Sequence, residues 1–200
     1  DGGVHSHIEH LFAELKIFEA AGVDVALHLI TDGRDTAPTS AAEEYIPALM
    51  NVMDEINGRG KINVEVADII GRYWAMDRDF RWERTAKAYF ALTKGQGNLV
   101  TSLEAAITQS YSLGKTDEFI EPSVITDANG IPLTTIKEND AIIFFNFRID
   151  RPRQLTASFV VDDFSNQSIF LDFDPYLEKY EKTHLAERVK KRENVFERGP

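Results

Sequence analysis

The sequence predicts an α/β fold: a three-layer α/β/α domain around a mixed, largely parallel sheet that carries a β-hairpin insertion. Apolar runs at 24–31, 62–70 and 140–147 alternate with longer stretches whose apolar residues recur at helical spacing, the order that parallel strands and crossover helices require. Between 119 and 136, two β-rich runs flank Asp127, Ala128, Asn129 and Gly130, a hairpin signal that makes the sheet mixed. Two hundred residues with 43% hydrophobic content suffice for one substantial core.

Each element follows from local pattern. Ser6 is expected to cap a first helix on which Ile8, Leu11, Phe12, Leu15 and Phe18 share a face, and Gly22 stops it. Residues 24–31 read as a buried strand, and 38–58 as a second helix, kinked or offset at Pro47 and ending near Gly58. Residues 62–70 read as the second strand, closed by Gly71. The stretch 77–95 places Phe80, Ala88, Tyr89 and Leu92 in a third helix, followed by a shorter one around 101–113. Residues 140–147, DAIIFFNF, are the most apolar run and are expected to be a central strand. The pattern weakens beyond that. Residues 161–200 read as a return linker or peripheral segment, with Arg188, Lys190, Lys191 and Arg192 on a solvated helix face.

Composition excludes several classes of function. A formal net charge of -11 repels nucleic acid and anionic lipid, so any anionic ligand must be held by a local cluster. No apolar run approaches the roughly 18 residues that span a bilayer, and no charged-then-apolar signal opens the chain, so no membrane partner is expected. Cysteine is absent, which removes disulfides, thiolate catalysis and Cys-type zinc sites. That fits a reducing compartment, and a cytoplasmic location is expected. The chain opens directly on DGGVHSH and stops at ENVFERGP, which leads us to expect a segment of a longer polypeptide.

Of 12 arginines, eight fall in three short stretches just after the apolar runs: Arg34; Arg72, Arg78, Arg81 and Arg84; Arg148, Arg151 and Arg153. A single Arg after a strand is ordinarily solvated or ion-paired, and Arg81, Arg84 and Arg153 are read that way. In open α/β sheets, however, ligands lie beyond the carboxyl ends of the strands, and parallel strands would bring the three stretches to one place. The planar guanidinium fork meets phosphate and carboxylate oxygens in pairs and stays charged when desolvated. Gly33 and Gly71, directly before Arg34 and Arg72, permit close backbone approach or a sharp exit from the strand. Asp35 has a bland role as an ion-pairing or capping residue before Pro38. Inside an Arg cluster it becomes a carboxylate placed to take and return a proton. His5, behind two glycines, is a candidate phosphate donor. The HSHIEH stretch lacks an adjacent further ligand, so no metal site is assigned to it. Tyr73, Trp74 and Met76 are either a pocket wall or core, with core favoured for Trp74.

DGGVHSH, DGRDT, GRYWAMDRD.RWER and FFNFR.DR.RQL, in this order and at these intervals, resemble the substrate-binding, phosphotransferase domain of cofactor-independent phosphoglycerate mutase, over about residues 1–160. The resemblance implies an enzyme that interconverts 3-phosphoglycerate and 2-phosphoglycerate through a phosphoserine, with no requirement for 2,3-bisphosphoglycerate. It implies that His5 contacts the phosphoryl group, that Asp35 is the general acid/base, and that Arg34, Arg72, Arg78, Arg148 and Arg151 bind carboxylate and phosphate. It also implies a second, phosphatase-like domain, absent from this chain, with the nucleophilic serine and two divalent metals, usually manganese. The present chain would carry no cofactor of its own and be inactive alone. Ile149 and Pro152 depart from the family's expected Pro and Ala but leave both neighbouring arginines in place. A stand-alone anion-binding module without catalysis is the alternative reading.

Overall fold

The computed structural model describes residues 3–162, 164 and 196–198. The basic run at 188–192, and most of the expected return segment, lie outside them. Four strands form one sheet in the order β1-β2-β4-β3: β1 (Val25–Thr31), β2 (Val64–Gly71), β3 (Asn98–Val100) and β4 (Ser123–Ile125). β1 pairs parallel with β2 and β3 parallel with β4, while β2 and β4 are antiparallel, so the sheet is mixed and largely parallel.

Helices cover both faces. On one side α1 (Ile8–Ala21), α2 (Ile46–Gly58) and α5 (Leu103–Ser112) bury Leu15, Leu49, Ile56 and Ile107 against Val64, Val66 and Ile69. On the other, α4 (Trp82–Lys94) and α6 (Pro152–Val160) pack Ala88, Leu92 and Leu155 against Ile70 and Val124. This is the three-layer arrangement expected. A short helix α3 (Arg72–Ala75) leaves β2 directly. Fully buried Phe164 meets Trp82 edge to face at 5.3 Å and Phe196 at 5.1 Å, a third apolar cluster at the end of α4 and α6. Among the described residues no helix is long and apolar enough to cross a membrane.

Several boundaries differ from expectation for physical reasons. The cap of α1 is His7, whose ring nitrogen accepts from the Glu9 amide, and not Ser6; Gly22 ends the helix in the left-handed conformation as expected. The second helix begins with a π-helical turn (Ala41–Tyr45) and becomes α-helical at Ile46, which places Pro47 in the first turn, where its missing N–H costs nothing. Phe80 is outside α4: it takes a positive φ of 62° in the preceding turn, and its amide donates to Gln154 Oε1. The expected hairpin is short. Its turn forms, with the Asp127 carboxylate accepting from the Asn129 and Ile131 amides, but beyond β4 the pairing is one bridge between Thr126 and Pro132.

The largest correction concerns residues 140–147. They form no strand of the sheet, and Ile142, Ile143 and Phe147 are 41%, 58% and 53% exposed. The run lies at the open edge of β1 and does not join it.

Candidate functional site

β1 and β2 end side by side, Thr31 opposite Gly71, so Asp32 to Asp35 and Arg72 leave the sheet at the same rim. The 3-10 turn Asp117–Phe119 packs directly over both exits. A Cβ on Gly71 would stand 2.4 Å from the Glu118 carbonyl oxygen, and one on Gly33, at a φ of +66°, 2.7 Å from the Glu118 nitrogen. Both glycines therefore serve close backbone approach, to the protein's own turn. Asp117, 1% exposed, fastens that turn: its carboxylate accepts from the Ala41 amide and the Tyr111 hydroxyl, and its carbonyl from Thr31 Oγ1 at 2.7 Å. Burial holds its pKa up, against the hydrogen bonds it accepts.

Arg72 is the centre of the cluster. It is 2% exposed, and its Nη1 donates at 2.6 Å to both Asp32 Oδ1 and Asp35 Oδ2. Burial works against its charge, but the two carboxylates outweigh it and raise its pKa. Asp32 Oδ1 also accepts from the amides of Arg34 and Asp35, at 3.1 and 3.0 Å. These bonds overcome burial and depress the Asp32 pKa. One oxygen thus sets the shape of the loop and the aim of the arginine.

His5, 7% exposed, reaches the same place from the loop before α1. Its Nε2 lies 3.3 Å from Arg72 Nη2 and 3.5 Å from Asp35 Oδ2, and its Nδ1 lies 3.7 Å from Asp150 Oδ1. Arginine has only donors, so Nε2 accepts, and the imidazole is neutral with its proton on Nδ1, toward Asp150. Burial, then the Arg72 charge, lowers its pKa in agreement.

The remaining arginines gather around Asp150. Arg78 Nη1 donates to Asp150 Oδ2, while Arg148 Nε stands 2.9 Å from its Oδ1 and Nη2 donates to Oδ2 at 3.1 Å. Burial pushes the Asp150 pKa up, and these two bonds bring it below the ordinary range. Arg151 turns inward: its Nη1 donates to the Met76 carbonyl and its Nε is buried without a partner. Burial, then the Arg72 and Arg78 charges, lowers its pKa. Arg34 is the outlying member, 61% exposed at its side chain and paired with Glu118 at 3.2 Å.

Of the residues singled out from sequence, the structure brings His5, Asp35, Arg72, Arg78, Arg148 and Arg151 into one cluster and leaves Arg34 on its rim. Arg81 and Arg84 are engaged elsewhere, paired with Asp79 at 3.2 Å and Asp77 at 3.5 Å; Arg84 also stacks on Tyr73 at 3.6 Å. Trp74 belongs to the core packing around Ile70 and Leu92, and Met76 is buried. Asp32 and Asp150 were missed. The available signal was position, since one directly follows β1 and the other stands between Arg148 and Arg151. Among the described residues no group of three or more His, Asp or Glu side chains is arranged to hold a metal ion.

Comparison with known proteins fits this arrangement. The family model described as the BPG-independent PGAM N-terminus matches residues 1–190. The 2,3-bisphosphoglycerate-independent phosphoglycerate mutase of Moorella thermoacetica is 52% identical over 165 residues, covering 82% of this chain and 31% of that protein. That of Clostridioides difficile is 48% identical over 193 residues, covering 93% of this chain and 36% of its own. In three dimensions the chain is similar to Leishmania mexicana phosphoglycerate mutase, solved at low cobalt concentration, with a TM-score of 0.77 at 28% identity over 85% of this chain and 31% of that one. The chain spans about a third of the length of these relatives. With its strand-end arginines and a family match over nearly its whole length, the chain belongs to the family of the N-terminal part of the BPG-independent phosphoglycerate mutases.

Proposed function

We propose that residues 1–160 are the substrate-binding, phosphotransferase unit of a cytoplasmic glycolytic mutase that interconverts 3-phosphoglycerate and 2-phosphoglycerate through a phosphoserine, and that 161–200 lead back toward a phosphatase-like domain outside this chain. The observation that carries the reading is the convergence of His5, Asp35 and Arg72 within 3.5 Å contacts, ringed by Arg78, Arg148 and Arg151. In an acidic protein this is a focused anion site, with Asp35 at its centre and Asp32 and Asp150 holding the arginines around it.

In this reading Arg72, Arg78, Arg148 and Arg151 receive the carboxylate and phosphate of the substrate, with Arg34 closing from the rim. The contacts of Arg148 and Arg78 with Asp150 keep them oriented until the anion arrives. Asp35 protonates the glycerate oxygen as the phosphoryl group leaves it for the serine. After glycerate turns over in the site, Asp35 takes the proton from the other hydroxyl as that oxygen attacks phosphorus. Arg72 holds Asp35 in place for both steps. His5 contacts the phosphoryl group, and its Nδ1–H is the donor available in the neutral form.

Among the described residues no side chains are grouped to hold a metal ion. Two divalent ions, manganese by the family resemblance, would belong with the serine in the other domain, where they would supply Lewis acidity to the phosphoryl transfer. No 2,3-bisphosphoglycerate is required.

Calorimetric titration of the chain with 3-phosphoglycerate, at low salt and in chelator, tests the site. Saturable heat that an R148A/R151A double variant abolishes is expected. No heat from a folded chain would overturn the claim that the site is assembled here. Mutase turnover by the purified chain in chelator would overturn the assignment of the nucleophile to another domain.

A further inference from the structure

Gln154 is 1% exposed, and none of the steps proposed above uses it. It stands in the first turn of α6, three residues after the N-cap Arg151, so the two side chains share a helix face. Both reach across to the segment between α3 and α4. Arg151 Nη1 donates to the Met76 carbonyl at 3.1 Å. The Gln154 amide makes three hydrogen bonds: Oε1 accepts from the Phe80 amide at 3.0 Å, and Nε2 donates to Asp77 Oδ2 at 3.0 Å and to Thr85 Oγ1 at 2.6 Å. Its orientation follows from these partners, since a backbone N–H can only donate and a carboxylate can only accept.

Arg78 is carried between those contacts. Besides Gln154, Asp77 Oδ2 accepts from the amides of Asp79 and Arg81 at 3.1 and 2.9 Å, while Arg84 and Arg81 stand 3.5 and 3.8 Å from Oδ1. Phe80 holds its positive φ of 62°, a conformation that a bulky residue keeps only where surrounding contacts impose it. Side chains, and not a regular element, therefore set the path of the loop. Gln154 ties that loop to the helix that bears Arg151. Burial alone would suit an aliphatic side chain, whereas an amide with both N–H groups engaged also fixes distance and direction.

We propose that Gln154 is a positioning residue of the anion site: it fixes Arg78 on its loop relative to Arg151 at the head of α6, and so sets the spacing at which two anionic groups of one ligand are gripped. Gln154 touches no ligand itself. The inference rests on the reading above for the ligand, a phosphorylated acid, but not for the geometry.

The test compares the wild-type chain with Q154M, which keeps the volume and loses the hydrogen bonds, and with T85V, which removes a bond of Gln154 that leads away from the arginines. Both variants should be less stable in urea. Affinity for 3-phosphoglycerate, which carries two anionic groups, should fall about tenfold or more in Q154M, while affinity for inorganic phosphate stays within about twofold and T85V binds both as the wild type does. Losses that are equal for the two ligands, or equal in the two variants at matched stability, would reduce Gln154 to a structural residue and overturn the proposal. The ligand-free chain gives a second readout by NMR of the arginine guanidinium groups. The Nη hydrogens of Arg151 should be resolved in the wild type, where the Met76 carbonyl restrains their rotation, and averaged in Q154M. The same Arg151 signals in both proteins would overturn the proposal even if neither ligand bound the wild type, so it and the substrate reading fail separately. Should Q154M not fold, Q154E, which keeps the acceptor for Phe80 and turns a carboxylate on Asp77, decides by the same measurements.

Discussion

Arg72 shows how one side chain both holds a fold together and prepares a site. Replacing it with Ala leaves the carboxylates of Asp32 and Asp35 facing each other without a cation. Because those partners are 28% exposed, the loss of stability is expected at about 2 to 3 kcal/mol, below that of a fully buried pair. Urea unfolding measures it, and binding of 3-phosphoglycerate should fall more than tenfold in the same variant. R72K should recover much of the stability and little of the binding, since one ammonium cannot reproduce the fork. His5 supplies a test by pH. Its depressed pKa means the folded chain favours the neutral ring, so its contribution to stability is present above about 6.5 and is lost as pH falls toward the folded value. The depressed carboxylates of Asp32 and Asp150 act in the same sense at lower pH, whereas buried Asp68 and Asp117, with raised values, gain stability as they protonate. A bound phosphate should raise the His5 pKa, so affinity should strengthen as pH drops from 8 to 6; imidazole proton shifts followed by NMR would show a His5 titration unmoved by ligand if His5 stood away from the anion. The sequence made Asp35, Arg34 and Arg72 legible because they follow strand ends, and Arg148 and Arg151 because they follow an apolar run that reads as a strand. It did not reveal that Asp32 and Asp150 organise them, because a carboxylate beside arginines reads first as a counter-ion.

Among the elements, those with strong periodicity or glycine punctuation were readable from sequence: α1, β1, α2, β2 and α5 stand within a residue or two of expectation, apart from the altered start of the second helix. Where tertiary contact decides, the reading failed. Phe80 fits the helical pattern, but buried Gln154 claims its amide while bonding Asp77 at 3.0 Å and Thr85 at 2.6 Å, and that network bends the chain before Trp82. The three-residue β3 was invisible because its pairing with β4 comes from distant sequence. A β-bulge also escaped pattern reading: the register of β1 on β2 shifts after Leu27, which sets His28 opposite Asp68, Nδ1 to Oδ2 at 2.6 Å. Gly71→Ala tests how strand end and 3-10 turn depend on each other. Its Cβ would meet backbone and not a flexible side chain, so a loss of about 2 kcal/mol or more is expected in urea unfolding. Leu15→Ala, at a fully buried position of α1, should cost about 2 to 5 kcal/mol and leave anion binding unchanged.

At the scale of the whole molecule, loops from segments more than 100 residues apart meet at a single rim of one mixed sheet, and the family match and the fold agree on the family to which the chain belongs. The parallel β1-β2 unit and the flanking helices were legible as a class. The placement of β4 was not, because no local pattern tells a strand to enter between two earlier ones. That placement has a consequence for biosynthesis. The first half of the chain can build β1, β2 and their helices as it leaves the ribosome, but β2 and β3 stay unjoined until Ser123–Ile125 emerges and wedges between them. A nascent chain stopped at residue 115 should therefore be sticky and protease-sensitive, whereas one released after residue 160 should be resistant; pulse proteolysis of stalled chains would show the gain in resistance arriving in one step, with the strand made last among the four locking the three made before it.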